Sequence, residues 1–286
     1  WFDGQSVALG SAIPAVVTNK GLQPGSRIPG LNVGGWCDAG DFDLQLGSQL
    51  TVLQNLIYTA QTFDNLDGYD TLSVTWDPVT GGVTEMHRPD GTPDIVEMVK
   101  HGALHIQAEI ENVGIVSGTI EVLTLRQYTH LGDGSTDTDG YIYDPSLGEN
   151  DIVERDGKVY SGKNDDRMLM IGGRPSTALL GGPSLAMAGA AAVLAGYDDE
   201  FAATCLATAE QIWINEGQPA LDTNNARSRG NVFNTLVQLI RATEALGKTD
   251  DYASYTAKLA QLLALAPAGT TNPFTTFLPI TTYYAA

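Results

Sequence analysis

The segment TALLGGPSLAMAGAAAVLAGY, residues 177–197, constrains the fold more than any other part of the chain. It is nearly all small and apolar, so as a helix it has no polar face to offer water and must be buried on most sides, weakened by its glycines and Pro183. A helix buried all round needs neighbours, and the flanking sequence supplies them. Three further helical periods follow at about 199–215, 228–245 and 249–266. On the first of these, Phe201, Cys205, Leu206, Ala209, Ile212 and Trp213 form a broad apolar face.

Two helices are expected upstream. Leu46, Leu50, Leu53, Ile57 and Ala60 recur at steps of three and four, which predicts an amphipathic helix ending near Phe63. Thr92-Pro93-Asp94 opens another, with Thr as cap, Pro at the first helical position and an acidic first turn. Its expected apolar face is Ile95, Met98, Val99, Gly102 and Ile106. Strand alternation is scarce, residues 64–91 reading as loop or short strand, so the fold class expected is all-α. Long loops between helices of similar length point to an α/α toroid rather than a simple bundle. No linker is evident, and a single domain is expected.

Charge narrows the partners. Fifteen Lys and Arg against 34 Asp and Glu give a net charge of -19. Such a surface repels nucleic-acid phosphates and anionic lipid, so neither nucleic acid nor membrane is expected as a partner. No apolar run approaches the roughly 18 residues of a membrane span. The acidity suits a neutral or cationic ligand and a secreted or periplasmic protein. The chain starts at Trp1, for which a removed secretion signal and an excised piece are equally good explanations. Two cysteines, Cys37 and Cys205, are too few for a disulfide scaffold, lack zinc-site spacing and read as buried small hydrophobes.

The chemistry concentrates at GGWCDAGDFD, residues 34–43. Asp38 and Asp41 stand three apart between Trp36 and Phe42. Read alone, the pair fits turn or cap residues, oxygen ligands of a divalent cation, or two carboxylates sharing one water, one as general base. Neighbouring aromatics favour the last, because sugar rings stack their apolar faces on Trp and Tyr. That chemistry also needs a general acid across the scissile bond, about 6.5–9.5 Å away when configuration inverts. A long Gly/Asp-rich stretch, residues 128–175, is expected to be functional for its length. Within it Asp133, Asp137 and Asp139 have the spacing of a loose calcium loop or of a solvated turn, so a structural Ca2+ is the one metal the sequence leaves room for. Asp165 and Asp166 beside Arg167 read as an ion-paired loop or as the wall of a cleft. Trp36, Trp76, Tyr128, His130, Tyr141 and Tyr143 are candidates to line a binding site, with Tyr128 and His130 at a helix-to-loop boundary where a core or loop anchor is the other reading. His101 and His105 are four apart, but Gly102 occupies the place of the glutamate in HExxH, and they read as ordinary helix residues.

GGWCDAGDFD closely resembles the N-terminal signature of glycoside hydrolase family 9, whose members are mostly β-1,4-glucan hydrolases. GTPDIVEMVKHGALHIQAE resembles that family's helix beginning Pro-Asp. NDDRMLM resembles a loop of part of the family, and the helix from Ala186 with YDDEFAATCLATAEQIW resembles its paired helices. The resemblance covers most of residues 30–215. It implies an (α/α)6 barrel and an inverting hydrolase of β-1,4-glucan or a related β-glycan, needing no cofactor. Asp41 would be the general base, Asp38 would hold the water, and Trp36, Tyr128, His130 and Arg167 would contact sugar.

Three departures stand out. Cys37 takes a place where the family usually carries Tyr or His. The motif runs on as FDLQ, as in a divergent branch. The family's catalytic Glu and the motifs ahead of it have no counterpart, and Glu210, Glu216 and Glu244 lie on or beside amphipathic helices without that context. Residues 1–286 thus read as the N-terminal two thirds of one catalytic domain, whose C-terminal remainder, on this or a separate chain, is the expected partner. Alone, the chain is expected to be inactive and poorly folded, leaving the apolar faces of 47–63 and 228–266 unpartnered. A non-catalytic carbohydrate-binding protein that keeps a barrel cleft is the alternative.

Overall fold

The structure is a computed structural model. It describes residues 2–6, 15–22, 31, 33–36, 44–63, 69–71, 73–76, 83–86, 89–116, 119–122, 141–144, 146–148, 150–162, 167–171 and 178–265. Two compact units emerge, one of residues 1–53 and 65–177, the other of residues 54–64 and 178–286. Among the described residues the fold is mostly helical, with small open sheets confined to the first unit.

In the second unit the elements are the end of α2 (Leu46–Thr62), α4 (Gly182–Leu194), α5 (Asp199–Ile212), α6 (Gln218–Asp222), α7 (Arg229–Ala245) and α8 (Thr249–Ala264). The apolar segment, expected as a helix over about 176–196, is helical only from Gly182 to Leu194, and every residue of α4 from Pro183 to Ala191 is buried, as its composition demands. Pro183 is tolerated because it lies in the first turn, where its missing N–H has no intrahelical partner to lose. Four residues separate α4 from α5, and the Asp198 carboxylate caps the second helix by accepting from the Phe201 amide at 3.0 Å. Three residues separate α7 from α8. Such short connections between packed helices make each pair an antiparallel hairpin.

Side-chain contacts fix the remaining directions. Gln54 Nε2 donates to the Gly182 carbonyl at 3.4 Å, and farther along both helices Ile57 lies where a Cβ on Gly189 would meet its Cγ2 at 2.7 Å. Asn231 Nδ2 donates to the Leu180 carbonyl at 3.2 Å, Ser184 and Thr235 share a buried hydroxyl hydrogen bond at 2.7 Å, and Gly189 faces Gln238. Both sets advance together, so α2, α4 and α7 run parallel while α5 and α8 return. A row of parallel helices with antiparallel helices as their return strokes is the arrangement of an incomplete α/α toroid, as the sequence leads one to expect. One expectation is corrected. The apolar faces of 47–63 and 228–245 are not left open: Leu53, Ile57, Val232, Phe233, Leu236, Leu239 and Ala242 are all buried, whereas on the last helix only Tyr255 and Leu262 are buried and Leu263 is exposed. At about 1.5–3 kcal/mol for each large side chain, that burial gives α2 and α7 real anchorage.

The first unit holds α1 (Ala15–Asn19), the start of α2, α3 (Asp94–Asn112) and nine short strands among the described residues. A four-stranded sheet has the order β1 (Phe2–Ser6), β9 (Arg167–Ile171), β5 (Thr119–Val122), β2 (Leu44–Gln45), with β1 parallel to β9 and the other pairs antiparallel. β3 (Ser73–Trp76) pairs antiparallel with β4 (Val83–Met86), and β6 (Ile142–Tyr143), β8 (Lys158–Ser161) and β7 (Ile152–Arg155) form the third sheet. The all-α expectation therefore needs this addition. Asp156 and Gly157, both at positive φ, turn the β7–β8 hairpin between Arg155 and Lys158. An Asp-Gly pair between strands is a strong hairpin signal, and this one lies inside the Gly/Asp-rich stretch 128–175.

The opening of α3 also differs from expectation by one residue. Pro93 is the cap residue and Asp94 the first helical one. Thr92 makes no cap bond to the helix; instead its amide donates to Asp90 Oδ1. Asp94 accepts from the Thr71 amide and hydroxyl at 2.6 Å each, which ties the helix start to the preceding loop.

Candidate active site

Of the motif GGWCDAGDFD, the structure describes Gly34, Gly35 and Trp36; Cys37, Asp38, Asp41 and Phe42 lie outside the described residues. The entry to the motif is a tight piece of backbone. Gly34 and Gly35 both have positive φ, at 57° and 80°. A Cβ on Gly34 would stand 2.1 Å from the His101 carbonyl oxygen, so no other residue fits there without moving α3.

All four polar backbone groups of Gly35 and Trp36 are engaged, by two side chains and one carbonyl. The Gly35 amide donates to the His101 carbonyl at 3.2 Å. The His101 ring returns the contact, its Nε2 hydrogen-bonding the Gly35 carbonyl. A carbonyl only accepts, so Nε2 carries the proton. On the other side the Trp36 amide donates to Gln49 Oε1 at 2.8 Å, and Gln49 Nε2 donates to the Trp36 carbonyl at 2.6 Å. Gln49 is 1% exposed, so the bidentate pair works without competition from water. Four bonds at about 0.5–1.5 kcal/mol net each match the roughly 1–2 kcal/mol per residue needed to fix two residues of chain.

The Trp36 ring is half-buried against α3. It lies 5.4 Å from the His101 ring, tilted by 58°. Its far edge fills the notch at Gly102, where a Cβ would come within 2.5 Å of Cη2 and 3.2 Å of Leu53 Cδ1. Gly102, which stands where HExxH would place its glutamate, thus serves to admit an indole. The same helix carries Glu97, His101, His105 and Glu109 at four-residue steps, all buried. His105 Nε2 lies 3.4 Å from Glu109 Oε1. The histidines are therefore more than ordinary helix residues: His101 holds the motif entry, and His105 backs Gly35, against whose position a Cβ would meet its ring at 3.1 Å.

Sequence reasoning missed Gln49 and His101. The available signal was polarity in the wrong place. Gln49 falls on the stripe of Leu46 and Leu53, and the Glu-His-His-Glu column repeats at helical spacing on a helix with too few exposed positions to place it in water.

The remaining candidates fall as follows. Tyr128, His130, Asp133, Asp137, Asp139, His87, Asp165 and Asp166 lie outside the described residues. Arg167 opens β9, where its backbone pairs with Val122, and Trp76 ends β3 opposite Val83. Tyr141 is half-buried just before β6, which contains Tyr143. Among the described residues no group of three or more His, Cys, Asp and Glu side chains is placed to hold a metal ion. Cys205 is fully buried on α5, as expected, and burial raises its thiol pKa far above the usual range.

The late glutamates have structural duties. Glu216 lies in a π-helical turn, Trp213–Gly217, and its two carboxylate oxygens accept from the Leu179 and Leu180 amides at 3.0 and 2.9 Å. Glu210 accepts from the Tyr255 hydroxyl at 3.3 Å and joins α5 to α8; burial, and next the Asp251 charge, raise its pKa.

No family model and no curated protein matches the chain. A solved structure does. The chain is similar, distantly and in part, to the crystal structure of a metagenome-derived glycoside hydrolase family 9 endoglucanase, at 20% identity and a TM-score of 0.47. The likeness covers 96% of this chain and 42% of that one, so the chain spans less than half of that structure's length.

Proposed function

We propose that the chain carries the water-activating half of an inverting glycoside hydrolase acting on β-1,4-glucan or a related β-glycan. Asp41 is the general base, and Asp38 holds the nucleophilic water beside it. The observation that supports this reading is the fixed entry to the motif: the backbone of Gly35 and Trp36, immediately before the carboxylate pair, is held at all four polar groups. Trp36, Tyr128, His130 and Arg167 contact sugar in this reading, and Asp133, Asp137 and Asp139 form a calcium loop that stabilises the cleft wall. The reaction itself needs two carboxyl groups and water and no cofactor.

The general acid is assigned to a complementary region of the catalytic domain, on this or another chain. Glu216 is committed to two amides and Glu210 to Tyr255, which supports looking elsewhere. The same observation favours the second reading, a secreted carbohydrate-binding protein that keeps the cleft and has no acid. Incubating the complete protein with soluble β-1,4-glucan and following new reducing ends by proton NMR separates them. Hydrolysis is expected, with the α-anomer appearing first; binding without any release supports the second reading, and first release of the β-anomer rules out inversion.

A further inference from the structure

We propose that Trp36 meets its ligand edge-on, donating a hydrogen bond from its indole Nε1–H to a neutral oxygen of a polyhydroxylated chain such as a β-glucan. The identity of the ligand rests on the glycoside hydrolase reading; the placement of the donor does not. A tryptophan beside a sugar is ordinarily expected to offer a ring face for stacking. Here the six-membered ring is occupied by the protein. It is wedged in the Gly102 notch, Cη2 and Cζ3 lying 2.5 and 2.8 Å from where a Cβ on Gly102 would stand. The His101 imidazole lies against the indole as well, 5.4 Å between centroids with the planes tilted by 58°.

The polar atom belongs to the other ring. Trp36 is only part-buried, and among the described residues nothing accepts from its Nε1–H. Nor is Nε1 one of the buried polar atoms without a partner, which are all histidine nitrogens, so the N–H opens to water. Its aim is fixed before any ligand arrives. Gln49 holds the Trp36 amide and carbonyl, at 2.8 and 2.6 Å, and His101 holds the preceding Gly35. With the backbone gripped at one end of the side chain and the ring wedged at the other, neither side-chain torsion can turn far. A donor ordered in advance adds little ordering cost on binding. An indole N–H only donates, so the ligand must bring an acceptor oxygen. The net charge of -19 disfavours a carboxylate or phosphate, which leaves hydroxyl and ether oxygens.

Proton–nitrogen NMR of the complete protein, labelled at its tryptophans, tests this with thio-linked cellotetraose, which resists cleavage. The Trp36 indole signal is assigned by its through-space contact with Gly102, and the core residue Trp213, 2% exposed, serves as reference. Titration is expected to move the Trp36 Nε1–H signal downfield and to slow its exchange with water, leaving Trp213 unchanged. Trp36→Phe keeps an aromatic ring and removes the donor. By calorimetry it is expected to bind about 2–10-fold more weakly, the worth of one neutral hydrogen bond. Binding with an unmoved, fast-exchanging Trp36 N–H, or equally tight binding by Trp36→Phe, overturns the edge-on contact and leaves the glycoside hydrolase reading standing. No binding in the millimolar range overturns both. Should Trp36→Phe fail to fold, the NMR titration of the unaltered protein decides alone.

Discussion

The helical unit of residues 178–265 and the unit that carries the GGW segment hold themselves together in different ways. In the first, α4 finds α5 across four residues and α7 finds α8 across three, so each helix meets its main partner almost at once. In the second, β1 pairs with β9, Phe2 opposite Leu169, and Gly35 is held by His101. Partners close in sequence leave a local imprint, because an amphipathic period states both the helix and the face it buries. Distant partners leave none. The toroid-like scaffold is thus a product of short-range pattern, and the candidate site a product of long-range encounter.

Core deletion in the helical unit gives the largest expected effect. Leu236 is fully buried on α7, and Leu236→Ala should cost about 2–5 kcal/mol in urea unfolding, since α7 is packed between α4 and α8. A loss below about 1 kcal/mol would mean that α7 is not locked in this unit as described.

On the other side of the comparison, Gly102→Ala forces a methyl into the Trp36 indole and should cost about 1–3 kcal/mol. It should also shift the Trp36 contribution to fluorescence emission, which Ala substitution at exposed Gly47, with nothing near its Cβ position, should leave alone.

Helices Asp199–Ile212, Arg229–Ala245 and Thr249–Ala264 match the expected 199–215, 228–245 and 249–266 to within a few residues. Their apolar residues recur with the helix and their partners are adjacent, so little information is missing. Where the first one overruns, the difference is physical: the helix widens into a π turn at Trp213, and a Cβ on Gly217 would meet the Trp213 ring at 2.3 Å. The strands were mostly illegible because they are two to five residues long, too short for alternation to register, and their pairings span the unit. The candidate site was legible as chemistry, two aspartates beside aromatics, but its support was not. Nothing in a sequence says that the amide of Gln49 will meet the backbone of Trp36.

Electrostatics sharpen the contrast by smaller amounts. Burial raises the Glu210 pKa above its unfolded value, so the stability this group contributes is full below the ordinary carboxylate range and is lost as pH rises through the folded pKa. Glu210→Gln should therefore raise the melting temperature at neutral pH, with the gain vanishing in acid; Gln can still accept from Tyr255. An equal gain at both pH values would refute the assigned cause.

In the strand-bearing unit, Asp144 behaves oppositely. Bonds from the Ser146 hydroxyl and amide, then from Arg155, hold its pKa down to about 2. Its contribution to stability is present above the unfolded value near 3.8 and is lost as pH falls through about 2. Ser146→Ala should move the Asp144 midpoint upward by NMR with little change in melting temperature, because the group is exposed. An unmoved midpoint would leave the Ser146 amide, and then Arg155, as the causes.

The central claim concerns water activation at Asp41, and it can be tested apart from the general acid. Fluoride leaves a glycosyl centre without being protonated, so β-cellobiosyl fluoride requires only the base side of an inverting site. Fluoride release by the complete protein and by its Asp41→Asn variant, with the anomer of the liberated cellobiose read by proton NMR, is the most direct measurement. The account predicts enzymatic release giving the α-anomer first and a loss of about 10²–10⁴-fold in the variant, the usual worth of general-base assistance. Release at the same rate from both proteins, or none above the spontaneous rate from either, would contradict it.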